Sequence, residues 1–216
     1  MQKDLFSSQS SAYARFRPVY PDELYQYILQ FVGARNRAWD VATGNGQAAV
    51  VLATFFERVD ATDISAKQIS EAVADPRINY AVGSAEQSAF EQESFDLITV
   101  AQAYHWLDPI AFRSEVKRVG KKESIVAVWG YHIPQSTNKE LNIVINDFYK
   151  NVVGTYWDSE RRFVDERYET VQFNFEELPT TDFSINVEWH AEQLIGYLNS
   201  WSSVQHFIKA NGYNPI

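Results

Sequence analysis

Short apolar runs alternate with helix-like segments between Arg37 and Tyr131. The runs predict strands at Arg37–Ala42, Arg58–Asp63, Ile78–Val82, Phe95–Ala101 and Ser124–Trp129. The segments between them predict helices at Gln47–Phe56, Ser65–Ala74 and Asp108–Val119. Ser65 and Asp108 are the expected N-caps, and Pro109 takes the first helical position. Strands and helices in this alternation predict an α/β fold, with a parallel sheet covered by helices on both faces.

The flanking regions predict further helices and one edge strand. Pro21–Phe31 and the apolar positions from Leu141 to Val152 have helical spacing, as do those from Leu194 to Ile208. Phe183–Trp189 alternates between apolar and polar residues, which is typical of a half-buried antiparallel strand. We therefore expect one domain over 1–216, with a lid and helix at 1–36, a core at 37–131, and cover helices and the edge strand at 132–216.

Composition narrows the class of protein. The 28 acidic side chains outnumber the 19 basic ones, and a net charge of −9 argues against a nucleic-acid partner. The absence of cysteine excludes a thiol nucleophile and a thiolate metal site, and the four scattered histidines predict no metal centre. The first residues lack the apolar core of a signal peptide, and no apolar run approaches the ~18 residues of a membrane span. We expect a cytoplasmic protein with no membrane partner.

The segment Asp40–Gln47 (DVATGNGQ) lies where the first strand meets a helix. Glycines at such a junction let the backbone turn sharply and approach a ligand, beside the free amides of the helix N-terminus. Asp63 ends the second strand about 20 residues further on, where a carboxylate can accept hydrogen bonds from ribose hydroxyls. The pattern predicts a cofactor that contains a nucleoside.

The glycine motif alone does not decide which nucleoside-containing cofactor binds. Gly44–Ala49 also satisfies a dinucleotide-binding pattern, so an NAD-dependent oxidoreductase is an alternative. Asp40 favours S-adenosylmethionine instead, because a carboxylate beside the loop repels a pyrophosphate and attracts an ammonium or sulfonium group. The aromatic and polar cluster Ala101–Asp108 (AQAYHWLD) is expected at the same sheet edge.

At these motifs the sequence resembles the class I S-adenosylmethionine-dependent methyltransferases, in the small-molecule subgroup that includes trans-aconitate methyltransferases. The matching segments are Tyr13–Pro21, Asp40–Gln47, Asp63–Ser65, Gly83–Phe90, Ala101–Asp108 and Leu194–Val204. The resemblance implies a Rossmann-like sheet of seven strands and methyl transfer from S-adenosylmethionine. A small molecule would accept the methyl group, with carboxylic acids among the candidate acceptors.

The resemblance also implies a set of cofactor-binding residues. They are Tyr13, Arg17, Asp40, Ala42, Gly44, Gly46, Asp63, Ile64, Ser84, Ala85, Glu86, Ala101 and Gln102. Asp63 would hold the ribose, and Ile64 would pack against the adenine. Ser84–Glu86 would line the adenine edge. Tyr13 and Arg17 would form a lid, with Arg17 able to pair with the cofactor's carboxylate.

The sequence departs from the family at two places. Ala42 replaces the first glycine of the usual loop, which is tolerated if the backbone there has an ordinary conformation. The family closes with a hairpin after the last helix, whereas this sequence stops at Ile216. Phe183–Trp189 would then be an open edge unless Val171–Phe175 pairs with it, and a C-terminally shortened sequence is one interpretation.

The role of His105 depends on the acceptor. A carboxylate acceptor needs no proton removed, whereas a hydroxyl, amine or carbon acceptor needs a base, for which His105 is the candidate. A catalytically idle protein that only binds the cofactor is a further alternative. The sequence makes no prediction of the oligomeric state.

Overall fold

The computed structural model describes residues 16–216, which group into two compact units. The first unit consists of residues 18–130 and 171–187. The second consists of residues 16–17, 131–170 and 188–216. The predicted division into lid, core and cover remains a prediction.

The first unit is built on a parallel sheet of five strands. They are β1 (Arg37–Val41), β2 (Arg58–Asp63), β3 (Ile78–Val82), β4 (Phe95–Ala101) and β5 (Gly120–Trp129). Their order across the sheet is β3-β2-β1-β4-β5, and every neighbouring pair is parallel. This arrangement confirms the predicted α/β sheet, although residues 16–216 form five strands instead of the seven that the resemblance implied, and β5 begins four residues earlier than expected.

Helices pack on both faces of this sheet, as predicted. The helices of the first unit are α1 (Asp22–Leu29), α2 (Gln47–Leu52), α3 (Ala66–Ser70) and α4 (Pro109–Val119). On one face Trp39 of β1 is fully buried, and its ring lies 6.5 Å from that of Phe112 in α4. On the other face α2 packs against β1, with the backbone of Ala49 beside the Asp40 carboxylate. Side chains alternate between faces along a strand, so adjacent residues of β1 serve opposite layers.

The predicted N-caps of α3 and α4 are confirmed. The Ser65 hydroxyl accepts a hydrogen bond from the Gln68 amide at 3.2 Å. The Asp108 carboxylate accepts from the amides of Ile110 and Ala111, both at 2.9 Å, and Pro109 is the first residue of α4. Each cap satisfies amides that have no partner inside the helix.

The second unit is helical. It contains α5 (Lys139–Asp147), a π-helical turn (Phe148–Val152), α6 (Arg161–Asp165), α7 (Ala191–Asn199) and α8 (Ser202–Asn211). Its core is formed by Ile145, Tyr149, Val153, Tyr197, Leu198, Trp201, Val204 and Phe207. The predicted helix Leu194–Ile208 is therefore wrong as a single element, because Trp201 has an extended backbone between α7 and α8.

The predicted antiparallel edge strand at Phe183–Trp189 is also wrong. These residues have no strand structure, and the described part of the chain offers them no backbone ladder. Phe183 packs instead against Tyr27 of α1, with ring centroids 5.6 Å apart, and the Tyr27 hydroxyl donates to the Pro179 carbonyl at 2.9 Å. Alternation sets which side chains are apolar, but a strand also needs a hydrogen-bonding neighbour.

None of the helices described within residues 16–216 is long and apolar enough to cross a membrane.

Candidate functional site

The candidate site lies at the carboxyl ends of β1, β2 and β4. The chain leaves β1 toward β2 on one side, whereas β4 and β5 lie on the other side of β1. Open α/β sheets bind ligands at such a topological switch point. The structure therefore brings Asp40, Asp63 and Ala101, which sequence analysis placed at strand ends, to one edge of the sheet.

The loop between β1 and α2 has a left-handed backbone at three positions. The φ angles are 50° at Ala42, 58° at Gly44 and 88° at Gly46, which is the N-cap of α2. The ordinary backbone conformation under which alanine was expected to be tolerated at position 42 is therefore not present. A left-handed conformation costs an L-residue about 1–2 kcal/mol relative to glycine. The Thr43 amide anchors the loop by donating to the Thr62 carbonyl at 2.9 Å.

Asp40 is a buried carboxylate beneath this loop. It accepts hydrogen bonds from the hydroxyls of Thr43 at 2.5 Å and Thr99 at 2.7 Å. Burial raises the pKa of Asp40 to about 6, with a smaller contribution from the charge of Asp63, while the two hydroxyls act in the opposite direction. The site therefore holds a carboxylate whose charge is costly and would be relieved by a cation.

Asp63 connects the loop to the helix that follows β2. Its Oδ2 accepts from the Gly44 amide at 2.9 Å, and its Oδ1 accepts from the Ser65 amide at 2.8 Å. These two bonds hold the Asp63 carboxylate beside the glycine loop. Ile64 follows it and is half-buried.

The segment after β3 is tied to the beginning of α4 through Glu86. Its Oε2 accepts from the Ser84 hydroxyl at 2.6 Å, and its Oε1 accepts from the Asp108 amide at 3.1 Å. Ala85, which lies between Ser84 and Glu86 in the sequence, is buried. Glu86 thus positions two loops at the sheet edge, a role that the sequence did not predict.

The end of β4 carries the predicted aromatic cluster. Gln102 has a positive φ of 54°, and its amide donates to the Trp129 carbonyl of β5 at 2.8 Å. A short 3₁₀ turn, Tyr104–Trp106, follows directly. His105 is only 8% exposed, and its ring lies 4.7 Å from that of Trp106.

Comparison with known proteins identifies the family. A family described as a methyltransferase domain matches residues 39–128. A Dictyostelium discoideum protein provisionally named a methyltransferase is 35% identical over 99% of this chain and 82% of its own length. A solved structure from Anaeromyxobacter dehalogenans, provisionally described as a type II methyltransferase, has a TM-score of 0.84 and 35% identity, covering 93% of this chain and 85% of that one.

The chain belongs to the class I methyltransferases. The same match favours a methyltransferase over the NAD-dependent oxidoreductase that the glycine pattern had left open. A Saccharomyces cerevisiae protein provisionally named as an S-adenosylmethionine-dependent methyltransferase is 26% identical over 71% of this chain and 57% of its own length.

Three buried polar atoms around the glycine loop of this methyltransferase have no hydrogen-bond partner among residues 16–216. They are the hydroxyl oxygens of Tyr25 and Tyr80 and Oε1 of Gln68. Burial is the main factor that raises the pKa of both phenols, and the charge of Asp40 adds to it. A buried polar group without a partner costs about 1–3 kcal/mol, so the Tyr80 hydroxyl beside Gly46 and Gln68 Oε1 beside Gly44 indicate a polar ligand. The amino-acid part of S-adenosylmethionine offers donors and acceptors, and the site fits it.

Sequence analysis did not predict Tyr80 as a site residue, because its position beside the glycine loop depends on the register of the strands. Tyr80 of β3 is the register partner of Ala61, and Ala61 is the partner of Asp40. These three side chains share one face of the sheet, and the small side chain of Ala61 lets the tyrosine extend over β2. Gln68 was already part of a predicted helix, but nothing in the helical pattern singles it out.

The two predicted lid residues have different outcomes. Tyr13 lies outside the described residues. Arg17 belongs to the second unit, where its guanidinium donates to the Tyr131 hydroxyl and to the Ser200 carbonyl, both at 2.9 Å. It also lies 5.4 Å from the ring centre of Tyr197. Its predicted pairing with the cofactor remains a prediction.

Proposed function

We propose that this methyltransferase binds S-adenosylmethionine at the carboxyl edge of its sheet and methylates a carboxylate of a small organic acid. The observation that carries the cofactor proposal is the pair Asp40 and Asp63 at the glycine loop, where one carboxylate is buried and the other holds the Gly44 amide. Membership of the trans-aconitate subgroup is part of the same proposal.

The roles of the residues follow from their chemistry. S-adenosylmethionine supplies an electrophilic methyl group on a positively charged sulfur. The buried charge of Asp40 favours cationic groups at the loop, since Coulomb attraction is strong where water is excluded. Asp63 accepts hydrogen bonds from the ribose hydroxyls, and Ser84, Ala85 and Glu86 line the adenine edge. Ala101 and Gln102 close the site from β4.

Methyl transfer of this kind is an in-line displacement at carbon. A carboxylate acceptor is already ionised at neutral pH, so the protein removes no proton and acts by orientation and electrostatics. A general base is worth about 10²–10⁴-fold when an acceptor must lose a proton. Under our proposal His105 is not that base, and its buried ring has a packing role.

The test begins with binding. Calorimetry with S-adenosylhomocysteine and with NADH should give a saturable isotherm for the first ligand alone. Turnover is then measured with methyl-labelled S-adenosylmethionine and a panel of carboxylic acids, where mild base should release labelled methanol from the ester product. Binding without turnover on any acceptor from a cell extract would favour the catalytically idle alternative.

The His105→Asn variant separates the acceptor classes. With a carboxylate acceptor its kcat should stay within about threefold of the parent, whereas loss of a required base lowers kcat by 10²-fold or more. Product that resists mild base, combined with a large loss in His105→Asn, would replace the carboxylate by a hydroxyl, amine or carbon acceptor.

A further inference from the structure

The second unit contains an arginine largely enclosed by aromatic rings. Arg161 is in α6, and its side chain is only 15% exposed. The guanidinium carbon lies 4.7 Å from the ring centre of Trp157 and 5.6 Å from that of Tyr149. Trp157 and Tyr149 also contact Trp201, with ring centroids 5.5 and 5.8 Å away. A cation is thus held against a rigid aromatic wall.

One end of this guanidinium is fixed in place. Its Nε donates to the Tyr149 hydroxyl at 3.1 Å and lies 3.4 Å from the Asp165 carboxylate. The Tyr149 hydroxyl in turn donates to that carboxylate, at 2.7 and 2.8 Å from its two oxygens. Because Asp165 is shared with the phenol and is 44% exposed, it neutralises Arg161 only in part.

The other end of the guanidinium is unengaged. Within residues 16–216, the two Nη groups of Arg161 make no hydrogen bond. Arg118 is a contrast, since its Nη groups donate to the carbonyls of Phe90 and Ser88 and to Glu115. A mostly buried guanidinium normally fills its fork with acceptors, and a carboxylate matches that fork in two bonds.

A second donor in the same cluster lacks an acceptor. The indole Nε1 of Trp157 is buried and has no hydrogen-bond partner in the described part of the chain. An indole nitrogen can only donate, so an acceptor must come from outside these residues. The cluster therefore presents unused donors and flat apolar surfaces together.

We propose that Arg161 is the anchor of an anion-binding site in the second unit, whose ligand is a small organic carboxylate with a flat apolar body. The carboxylate accepts from the Nη groups, and the body of the ligand packs on the aromatic rings. This anion site is argued from the second unit alone and does not rest on the proposed function.

The test uses benzoate as the probe. Its binding is measured by the change in tryptophan fluorescence at constant ionic strength. We expect saturable binding of benzoate, and no saturation with the neutral analogues benzamide and methyl benzoate. Arg161→Gln should weaken benzoate binding about tenfold or more, the effect of losing charge-assisted hydrogen bonds. Arg161→Lys should retain part of the affinity, because it keeps the charge without the planar fork.

Arg162→Gln is the matched control. Arg162 is the next residue of α6, is exposed, and lies 4.7 Å from the ring centre of Phe163. Its loss should leave benzoate affinity unchanged. Equal affinity in the parent and in a folded Arg161→Gln variant would overturn the proposal, as would equal binding of benzoate and benzamide by the parent.

Two further measurements separate loss of the anion site from unfolding and from loss of cofactor binding. If Arg161→Gln unfolds, the comparison of benzoate with benzamide on the parent protein, together with Arg161→Lys, decides the question. Calorimetry with S-adenosylhomocysteine is run on each folded variant. Intact binding of S-adenosylhomocysteine without benzoate binding would overturn the anion site alone, whereas the reverse result would overturn the proposed cofactor.

Discussion

The phenol of Tyr80 occupies the space that a side chain at Gly46 would need. Two ring carbons of Tyr80 lie 2.9 Å from the position of a Cβ at residue 46, and the hydroxyl oxygen is closer still. Tyr80 is in β3 and Gly46 caps α2, so the contact ties the glycine loop to a strand two positions away in the sheet. The glycine is required both by this contact and by its φ of 88°.

Gly46→Ala should therefore destabilise the protein and weaken S-adenosylhomocysteine binding. The added methyl collides with the half-buried ring of Tyr80 and is held at a positive φ, and we expect a loss of about 2–4 kcal/mol in the free energy of unfolding. Chemical denaturation and calorimetry measure the two effects. Gly33→Ala is the control, because nothing lies within 4 Å of its added Cβ, and it should change neither quantity appreciably. Parent-like values for Gly46→Ala would show that Tyr80 moves away freely.

Asp63 supports a second prediction, on cofactor affinity. Asp63→Ala should weaken S-adenosylhomocysteine binding by about 1–3 kcal/mol, the effect of losing charge-assisted hydrogen bonds to the ribose. Because Asp63 also holds the Gly44 amide, Asp63→Asn, which keeps one acceptor oxygen, should lose less. Ser65→Ala removes the cap of α3 and should lower stability by about 1 kcal/mol with unchanged affinity. If calorimetry gives Asp63→Ala the affinity of the parent, the ribose assignment is wrong.

The apolar runs predicted the five strands because helices cover both faces of the sheet. A strand that is buried on both faces has an almost continuous apolar sequence. Trp39, Leu97 and Ile98 belong to such runs and are fully buried. The alternation at Phe183–Trp189 records only which side chains are apolar. It carries no information on whether a neighbouring strand is present, and the described residues provide none.

Local motifs located the candidate site, but they did not describe its contacts. The glycine spacing and the position of Asp63 predicted a site at the carboxyl edge of the sheet, and this stays a prediction. The left-handed backbone at Ala42 goes against the preference of its residue type, so the sequence could not reveal it. Tyr80 and Glu86 act through strand register and loop packing, which appear only once the chain is folded.

A third prediction concerns the charges at the opposite end of the sheet. Asp60 is fully buried and binds Arg37 at 2.7 Å and Arg58 at 3.0 Å. Arg37 is 26% exposed and covers the ring of Phe95, whereas Arg58 is 54% exposed. Arg37→Gln should thus cost about 2–3 kcal/mol in the free energy of unfolding, and Arg58→Gln less than 1 kcal/mol. Urea denaturation compares them, and equal losses would contradict this ranking.

The fourth prediction is the pH dependence that Asp40 imposes on stability. Burial, with a smaller effect from Asp63, raises its pKa from 3.8 to about 6, so the folded protein holds the proton more tightly than the unfolded chain. The penalty for ionising Asp40 is absent below about pH 4, grows from there to about pH 6, and is complete above it. The shift corresponds to about 3 kcal/mol. Asp40→Asn removes this titration, and its free energy of unfolding relative to the parent should rise across that interval in urea denaturation at several pH values. A difference that stays constant from pH 4 to pH 7 would mean that Asp40 titrates normally in the folded protein.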